Sequence, residues 1–256
     1  MRPDAHELRG FYASPLGRAA ARSIAVGLGR VWRPIPRERL VGLGYAVPWL
    51  DALAEGAERT MAFMPAQQGA RRWPKRGPSR TAIVEEGELP LGDAAIDRVL
   101  MVHALEHSRD PVETLREAYR VLAPNGRLVV VVPHRRGVWA RFEATPFGTG
   151  RPWSRDQLTR ALEAADFTLA DLNDALMFPP FPQRLAVRAA PVLDWTGRKL
   201  FSTFSGAIVA VGAKRGSAGL AAAVPARGVR AIEPAAVPAG ATGRCGTDVP
   251  RTLPAP

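Results

Sequence analysis

The stretch Arg39–Leu50, which reads RLVGLGYAVPWL, indicates the fold class of this chain. Its apolar start runs into Gly42-x-Gly44, and Pro48 then opens a helical pattern. A strand that ends in glycines and turns directly into a helix is typical of the ligand-binding edge of an α/β sheet. Glycine permits a tight turn and a close backbone approach, and proline suits the first helical turn because it has no N–H to leave unpaired. The same pattern also fits a plain turn without a ligand.

Six further strands are predicted from short apolar runs. Asp97–Val102, DRVLMV, contains a continuous apolar run, as expected for a strand buried on both faces of a parallel sheet, and Arg127–Val132 has the sequence RLVVVV. The other four are predicted over Glu58–Met64, Thr81–Val84, Phe167–Leu172 and Gly206–Gly212. Helices are predicted from Pro48, from Asp110-Pro111 and from Ser154, and Ala123–Gly126 is predicted to be a turn. Strands that alternate with helices imply a seven-stranded, mainly parallel sheet with helices on both faces.

The chain is predicted to have three parts. Residues 1–36 carry a basic helical pattern that stops near Gly27 and Gly29, so they form a helical N-terminal extension, either a lid or a helix packed on the sheet. Residues 37–215 form the α/β domain, in which the long connection 173–205 is predicted to be a cap insertion. Residues 216–256 are rich in Gly, Ala and Pro without any period, which predicts a disordered tail.

Composition narrows the class of protein. No apolar run has the roughly 18 residues of a membrane span, and the first residues do not resemble a signal peptide. Cys245 is the single cysteine, which excludes an internal disulfide or a cysteine-based zinc site and favours a reducing, cytoplasmic location. The net charge of +11 suits an acidic partner such as nucleic acid, but an Arg-rich and Ala-rich composition is the plainer explanation. The sequence carries no signal for an oligomeric state.

Four loops follow predicted strands at one edge of this sheet: Gly42–Pro48, Met64–Pro74, Glu85–Leu91 and His103–His107. Ligands of open α/β sheets bind at this edge, near the reversal in strand order. A histidine there can remove a proton from a substrate, and His103 is the candidate base. Glu106-His107 fits a structural turn, and His134 is predicted to be a surface residue or an anion contact.

A set of spaced motifs recurs through the middle of the chain. It comprises an acid before Leu89-Pro90-Leu91, Asp97-x-Val99, Leu105-Glu106-His107-x-x-Asp110-Pro111, Arg120-Val121-Leu122-x-Pro124-x-Gly126-Arg127-Leu128, Trp153-Ser154-x-x-Gln157-Leu158 and Ala165-Asp166-Phe167. Together they resemble the class I S-adenosylmethionine-dependent methyltransferases of the type 11 family. The resemblance covers most of residues 39–213 and is most specific from Glu85 to Val132.

This resemblance implies a Rossmann-like fold, S-adenosylmethionine as cofactor and methyl transfer to an acceptor, which we expect to be a small molecule. It implies that the turn with Gly42 and Gly44 passes the methionine part of the cofactor. It also implies that Glu85 or Glu86 meets the adenine amino group. The segment after the fourth strand, with His103 and Leu105, faces the transferable methyl group. No metal site is expected.

The chain departs from the family pattern at the cofactor site. Leu40 stands where the family has an acid before the first glycine, and Met64 lies at the end of the second strand, where the family has the acid that binds the ribose. An amide both donates and accepts hydrogen bonds, so Gln67 or Gln68 can replace that acid, and we favour Gln68 because it adjoins the flexible Gly69. The departures also support an alternative, a catalytically degenerate methyltransferase-like binding or regulatory module.

Two aromatic features near this edge have alternative explanations. Trp73 is a candidate to cover the adenine face, or it packs against the nearby prolines. After the fifth strand, arginines alternate with aromatic residues, either as a wall for an anionic or aromatic substrate or as a loop whose aromatic side chains pack under the cap. These residues are Arg135, Arg136, Trp139, Arg141, Phe142, Phe147, Arg151 and Trp153. RNA modification is a minority interpretation, because it depends on charge alone.

Overall fold

A twisted sheet of seven strands forms the centre of the protein in a computed structural model that describes residues 2–32, 36–181 and 205–215. The strands are β1 (Arg39–Gly44), β2 (Arg59–Pro65), β3 (Thr81–Val84), β4 (Ile96–Val102), β5 (Leu122–Pro133), β6 (Thr168–Ala175) and β7 (Ala207–Ala213). Their order is β3-β2-β1-β4-β5-β7-β6. Neighbouring pairs among β1–β5 are parallel, and β7 runs antiparallel to both β5 and β6. The predicted seven-stranded, mainly parallel sheet is therefore confirmed.

Helices cover both faces of this sheet. They are α1 (Ala5–Ala13), α2 (Pro15–Val31), α3 (Val47–Leu53), α4 (Pro111–Val121) and α5 (Arg155–Ala164). The first three pack in one apolar cluster with Leu40 and Leu100, and the last two pack in a second cluster with Val41 and Val99. Adjacent strand residues thus alternate between the two cores, as the pleat requires. None of the described helices is long and apolar enough to cross a membrane.

Helix starts follow their local sequence signals. Asp110 caps α4 by accepting from the backbone N–H groups of Val112 and Glu113, and a proline follows it at the first helical position. Ser154 and Gln157 form a reciprocal capping box at α5. Each satisfies backbone donors that a helix start leaves unpaired. The predicted starts of both helices are confirmed.

The N-terminal extension differs from the single helical pattern that was predicted. It contains two helices that meet at Ser14, which caps α2, and α2 continues through Gly27 and Gly29 to Val31. Gly27 lies against β7, where an added Cβ would be 3.3 Å from Val209, so this glycine serves close packing and does not end the helix. Of the two predicted alternatives, α2 is a helix packed on the sheet. Helix α1 lies at the carboxyl edge of the sheet.

Other predictions need smaller corrections. Helix α3, predicted from Pro48, begins one residue earlier at Val47 and ends at Leu53. Residues 123–126 belong to β5, where the pairing register with β4 shifts and Asn125 has a φ of 65°, so the predicted turn is an irregularity within the strand. The first three residues of the predicted cap, 173–175, belong to β6. The rest of the cap beyond residue 181 up to 204 and the predicted tail lie outside the described residues.

Candidate active site

The glycine turn after β1 is shaped by packing. Gly44 has a φ of +81°, and a Cβ there would lie 2.3 Å from the carbonyl oxygen of Val102 on β4. A Cβ on Gly42 would lie 2.8 Å from the Cβ of Ala46, at the start of α3. These glycines therefore bring β4 and α3 close to β1, and the structure explains both without a ligand. They lie at the predicted edge, and the structure leaves their predicted role in cofactor binding untested.

Two positions where the family has acids are apolar and buried. Leu40 is 2% exposed in the core between the sheet and α1–α3. Met64 is fully buried, and its sulfur accepts a hydrogen bond from the backbone N–H of Arg71 at 3.2 Å. Neither side chain can accept from a ribose hydroxyl as a carboxylate would.

Gln68 lies in a short 3₁₀ turn, Ala66–Gln68, directly after β2. Its side chain is 1% exposed, and both amide atoms are buried with no hydrogen-bond partner in the described structure. Its neighbour Gln67 is exposed. Buried polar groups are nearly always paired, so an orphaned amide calls for a partner such as a ligand. The structure therefore separates the two glutamines that the sequence left as alternatives.

Trp73 does not reach this region in the predicted way. Its indole N–H donates to the Asp51 carboxylate at 2.9 Å, and the ring packs in the core cluster with α3. The prediction that Trp73 covers an adenine face therefore gains no support from its position.

After β3, the two adjacent acids have different surroundings. Glu85 is exposed, whereas Glu86 forms an ion pair with Arg2 at 2.6 Å between Nη2 and Oε1. Burial raises the pKa of Glu86, and the hydrogen bond from Arg2 partly opposes this rise. Arg2 also donates to the carbonyl oxygen of Ala104 at 3.3 Å, so it bridges the ends of β3 and β4.

His103, directly after β4, stands in the middle of a buried chain of polar groups. Its Nδ1 is 3.1 Å from Oε1 of Glu106, and its Nε2 is 2.7 Å from the hydroxyl of Tyr12 on α1. A carboxylate only accepts, so Nδ1 must donate to Glu106, and Nε2 then accepts from Tyr12. His103 has a φ of 53°, an uncommon backbone conformation that recurs at functional sites.

The other predicted residues of this loop lie in its 3₁₀ turn, Leu105–His107. Leu105 is 1% exposed and packs in the core beside α4. Burial lowers the pKa of His107 to about 4, so its ring is neutral near pH 7. This agrees with the structural role expected for His107.

His134 requires a correction. The sequence indicated a surface residue or an anion contact, but the side chain is 4% exposed, and its Nδ1 lies 3.0 Å from Oγ of Ser205. Burial lowers the pKa of His134. The ring is held by the chain leading into β7, which explains why it lies inside the protein.

Trp139 and Phe147 after β5 are buried, and the arginines that alternate with the aromatic residues face solvent. Trp139 donates to the carbonyl oxygen of Phe178 at 2.5 Å, and Phe142 meets Phe181 edge to face. Phe147 lies 4.9 Å from the ring of His103 and 6.3 Å from that of Phe11, measured between centroids. Arg135, Arg136, Arg141 and Arg151 are exposed. This arrangement matches the packing alternative, although the aromatic layer reaches the predicted active site.

The orphaned polar atoms of the described residues concentrate at this edge. At this edge they are Nε of Arg2, both amide atoms of Gln68, Oε2 of Glu106, Nε2 of His107 and Nε1 of Trp153. Nε of Arg98 lies elsewhere and forms an ion pair with Glu38 at 2.5 Å. Within the described ranges, no three His, Cys, Asp or Glu side chains are grouped so as to hold a metal ion. The unpaired donors and acceptors at this edge suit a polar organic ligand.

Sequence analysis missed Arg2, Tyr12 and Glu106 as site residues. Asp4 and Glu7 form a capping box, a sequence signal that indicates the start of α1, and both of its hydrogen bonds form. No local signal shows where α1 packs, because Tyr12 and His103 are 91 residues apart in the chain. These contacts depend on the tertiary fold.

Comparison with known sequences identifies the middle of the chain. Residues 40–130 match the family described as a methyltransferase domain. A Mycolicibacterium smegmatis protein, named a probable S-adenosylmethionine-dependent methyltransferase, is 36% identical to this chain over 86 residues. That alignment covers 33% of this chain and 33% of the relative, so this chain spans a third of the length of the curated protein it matches.

Solved structures share the architecture of this chain. A chain in a Haloferax volcanii complex between the Trm112 methyltransferase activator and a candidate methyltransferase has a TM-score of 0.61 and 19% identity, covering 82% of this chain and 95% of that one. A SAM-dependent methyltransferase of Thermotoga maritima has a TM-score of 0.57 and 21% identity, with 82% and 96% covered. These similarities establish a Rossmann-like fold.

Proposed function

We propose that this chain is an S-adenosylmethionine-dependent methyltransferase with a small-molecule acceptor. The observation that carries the proposal is the group of buried, unpaired polar atoms at the carboxyl edge of the sheet, in Arg2, Gln68 and Glu106. Leaving such a group buried without a partner costs roughly 1–3 kcal/mol, so several at one edge suggest a bound ligand that supplies the partners. The methyltransferase domain family supports S-adenosylmethionine as that ligand.

The residues at this edge fit the polar parts of the cofactor. Gln68 would hold the two ribose hydroxyls, because its carbonyl accepts and its amino group donates. Glu86 would meet the adenine amino group and is better placed than the exposed Glu85. The backbone at Gly42, Gly44 and Leu105 would line the methionine part. The cofactor supplies an electrophilic methyl group on a sulfonium, so the protein mainly positions the acceptor and excludes water.

We assign His103 the role of proton acceptor. With Glu106 holding Nδ1–H, Nε2 is the basic nitrogen, and it already receives a hydrogen bond from Tyr12. When an acceptor loses a proton, that proton passes to the oxygen of Tyr12 while the hydroxyl proton of Tyr12 passes to Nε2. The imidazolium that forms is stabilised by the Glu106 carboxylate, as in other carboxylate–histidine pairs.

A small acceptor fits the space and chemistry beside α1. A cleft of about 510 Å³ lies there, lined mainly by apolar groups that include Phe11 and Leu16. Phe11 contacts Tyr12 and Phe147, so this cleft adjoins the aromatic layer around His103. Clefts of this size hold small molecules. A single cysteine in 256 residues suits a reducing compartment, and we place the reaction in the cytoplasm.

Titration calorimetry with S-adenosylmethionine and S-adenosylhomocysteine tests the cofactor. We expect both to bind and to raise the melting temperature. No heat and no thermal shift at millimolar ligand would exclude the enzyme and leave a module without a working cofactor site. The acceptor is then sought by incubating the protein with a small-molecule extract and methyl-deuterated cofactor, and searching for labelled products by mass spectrometry. Binding of both ligands without any labelled product would favour the degenerate binding module, which Leu40 and Met64 still support.

A further inference from the structure

The N-terminal segment reaches into the proposed cofactor site. Arg2 is 84 residues from Glu86 in the chain, yet their side chains form an ion pair at 2.6 Å. The Arg2 side chain is only 6% exposed, and arginine is rarely so buried unless it is paired. Arg2 also lies outside the family-matched residues 40–130. Its second contact, to the carbonyl oxygen of Ala104, anchors it beside His103.

The hydrogen bonds of Arg2 leave one donor unexplained. The bonds to Glu86 and to Ala104 both use Nη2, and Nε is buried without an acceptor in the described structure. The ion pair with Glu86 explains why residue 2 carries a positive charge, but a lysine would provide the same charge. A guanidinium adds donors in a fixed planar arrangement, which suits recognition of a ligand with a matching acceptor atom.

The same segment covers the other end of the edge. Tyr12 stacks on Tyr45, which follows β1, with ring centroids 5.8 Å apart and planes 8° apart. Helix α1 has nine residues and is therefore about 13 Å long. Residues 2–13 thus run from the ends of β3 and β4, at Arg2, to the end of β1, at Tyr12. A ligand lying between Glu86 and the glycine turn would lie beneath them.

We propose that Arg2 is a cofactor-binding residue, whose Nε donates to the adenosine part of S-adenosylmethionine while Nη2 holds Glu86. The inference rests on the proposed function and extends the site beyond the methyltransferase domain family match. Residues 2–13 then complete the cofactor site, with Arg2 at the adenosine end and Tyr12 at the reacting end.

The test measures S-adenosylhomocysteine affinity by calorimetry in the full chain, with any purification tag at the C-terminus. We expect Arg2→Ala and Arg2→Lys each to weaken binding at least tenfold, because Lys keeps a charge for Glu86 but has no Nε–H. The control Arg18→Ala, on the exposed side of the neighbouring helix α2, should bind within twofold of the parent. Melting curves confirm that each variant is folded, and Arg2→Lys serves if Arg2→Ala is not.

The outcomes separate this inference from the proposed function. A parent protein that binds no S-adenosylhomocysteine would overturn the cofactor assignment itself. A parent that binds, with Arg2→Ala and Arg2→Lys binding equally well, would reduce Arg2 to a structural partner of Glu86. Tighter binding by Arg2→Ala would show that Arg2 occupies the site and competes with the ligand, which also overturns the inference. Adenosine alone should show the same dependence on Arg2, since the contact is at that end.

Discussion

Gln68 shows at the scale of one residue how stability and binding can oppose each other. Its amide is buried and unpaired, a cost of roughly 1–3 kcal/mol in the protein without ligand. We expect Gln68→Met, which has a similar size and no amide, to stabilise the free protein by about 1 kcal/mol in denaturant unfolding. The same change should weaken S-adenosylhomocysteine binding by about 1 kcal/mol, because the ribose loses its hydrogen-bonding partner.

The matched control is Gln67→Met at the adjacent, exposed position. Gln67→Met should change neither the free energy of unfolding nor the free energy of S-adenosylhomocysteine binding by more than about 0.5 kcal/mol. A loss of stability in Gln68→Met would mean that the amide already has a partner within the protein. Unchanged binding in that variant would remove Gln68 from the ribose site.

Gly44 and Gly69 allow backbone strain to be separated from crowding. Both have positive φ, +81° and +72°, but a Cβ on Gly44 would meet the Val102 carbonyl oxygen at 2.3 Å, whereas nothing lies within 4 Å of one on Gly69. Gly69→Ala should therefore lose only about 1–3 kcal/mol of stability, because φ 72° with ψ 169° is a backbone conformation that essentially only glycine adopts. Gly44→Ala should lose clearly more in the same unfolding experiment, because β4 must also move. Equal losses would show that β1 and β4 can separate freely.

At the scale of elements, local sequence signals predicted what they physically control. The apolar runs predicted all seven strands, and the caps at Asp110 and Ser154 predicted helix starts. The predicted end of α2 was wrong, because a glycine that packs against β7 and a glycine that stops a helix cannot be distinguished in the sequence. Tertiary packing decides between them.

The loop that carries Glu86 is tied to α4 by a buried carboxylate. Glu117 accepts from the backbone N–H of Leu89 at 2.6 Å and from Arg120 at 2.7 Å, and Arg120 donates to the carbonyl oxygen of Leu91. Burial alone would raise the pKa of Glu117, but the hydrogen bonds from Arg120 and Leu89 outweigh it and lower the pKa. We expect Glu117→Gln to cost about 2 kcal/mol at pH 7, the size of hydrogen bonds to a charged group.

The pH dependence of that loss has a definite sign. The pKa of folded Glu117 lies below its usual value of 4.5, so its contribution is complete above pH 4.5 and is lost as pH falls through the folded pKa. The stability gap between parent and Glu117→Gln should therefore narrow in acid, as followed by urea unfolding across pH 3–7. Glu113→Gln, on the same helix with a 3.8 Å ion pair whose partners are both over half exposed, should show almost no gap. A gap that stays constant into acid would show that the charge of Glu117 is not what holds the loop.

For the whole molecule, the sequence predicted the fold more fully than the site. Alternation of strands and helices determines a parallel sheet and the edge at which its loops meet. Arg2 and Tyr12 reach that edge from far along the chain. Their position depends on how α1 packs, and no short sequence pattern predicts this packing. Gln68 was within reach of the sequence because it directly follows a predicted strand, but only its burial distinguishes it from Gln67.

The composition of residues 216–256 leads to a prediction for the whole chain. The segment has no aromatic residue and is dominated by Ala, Gly and Pro. Ordering a residue costs about 1–2 kcal/mol of backbone entropy, which so little apolar surface cannot offset. A protein ending at Arg215 should therefore unfold within about 0.5 kcal/mol of the full chain and bind S-adenosylhomocysteine equally well. A loss of several degrees in melting temperature would show that the segment packs on the sheet. A loss of binding alone would show that it contributes to the cofactor site.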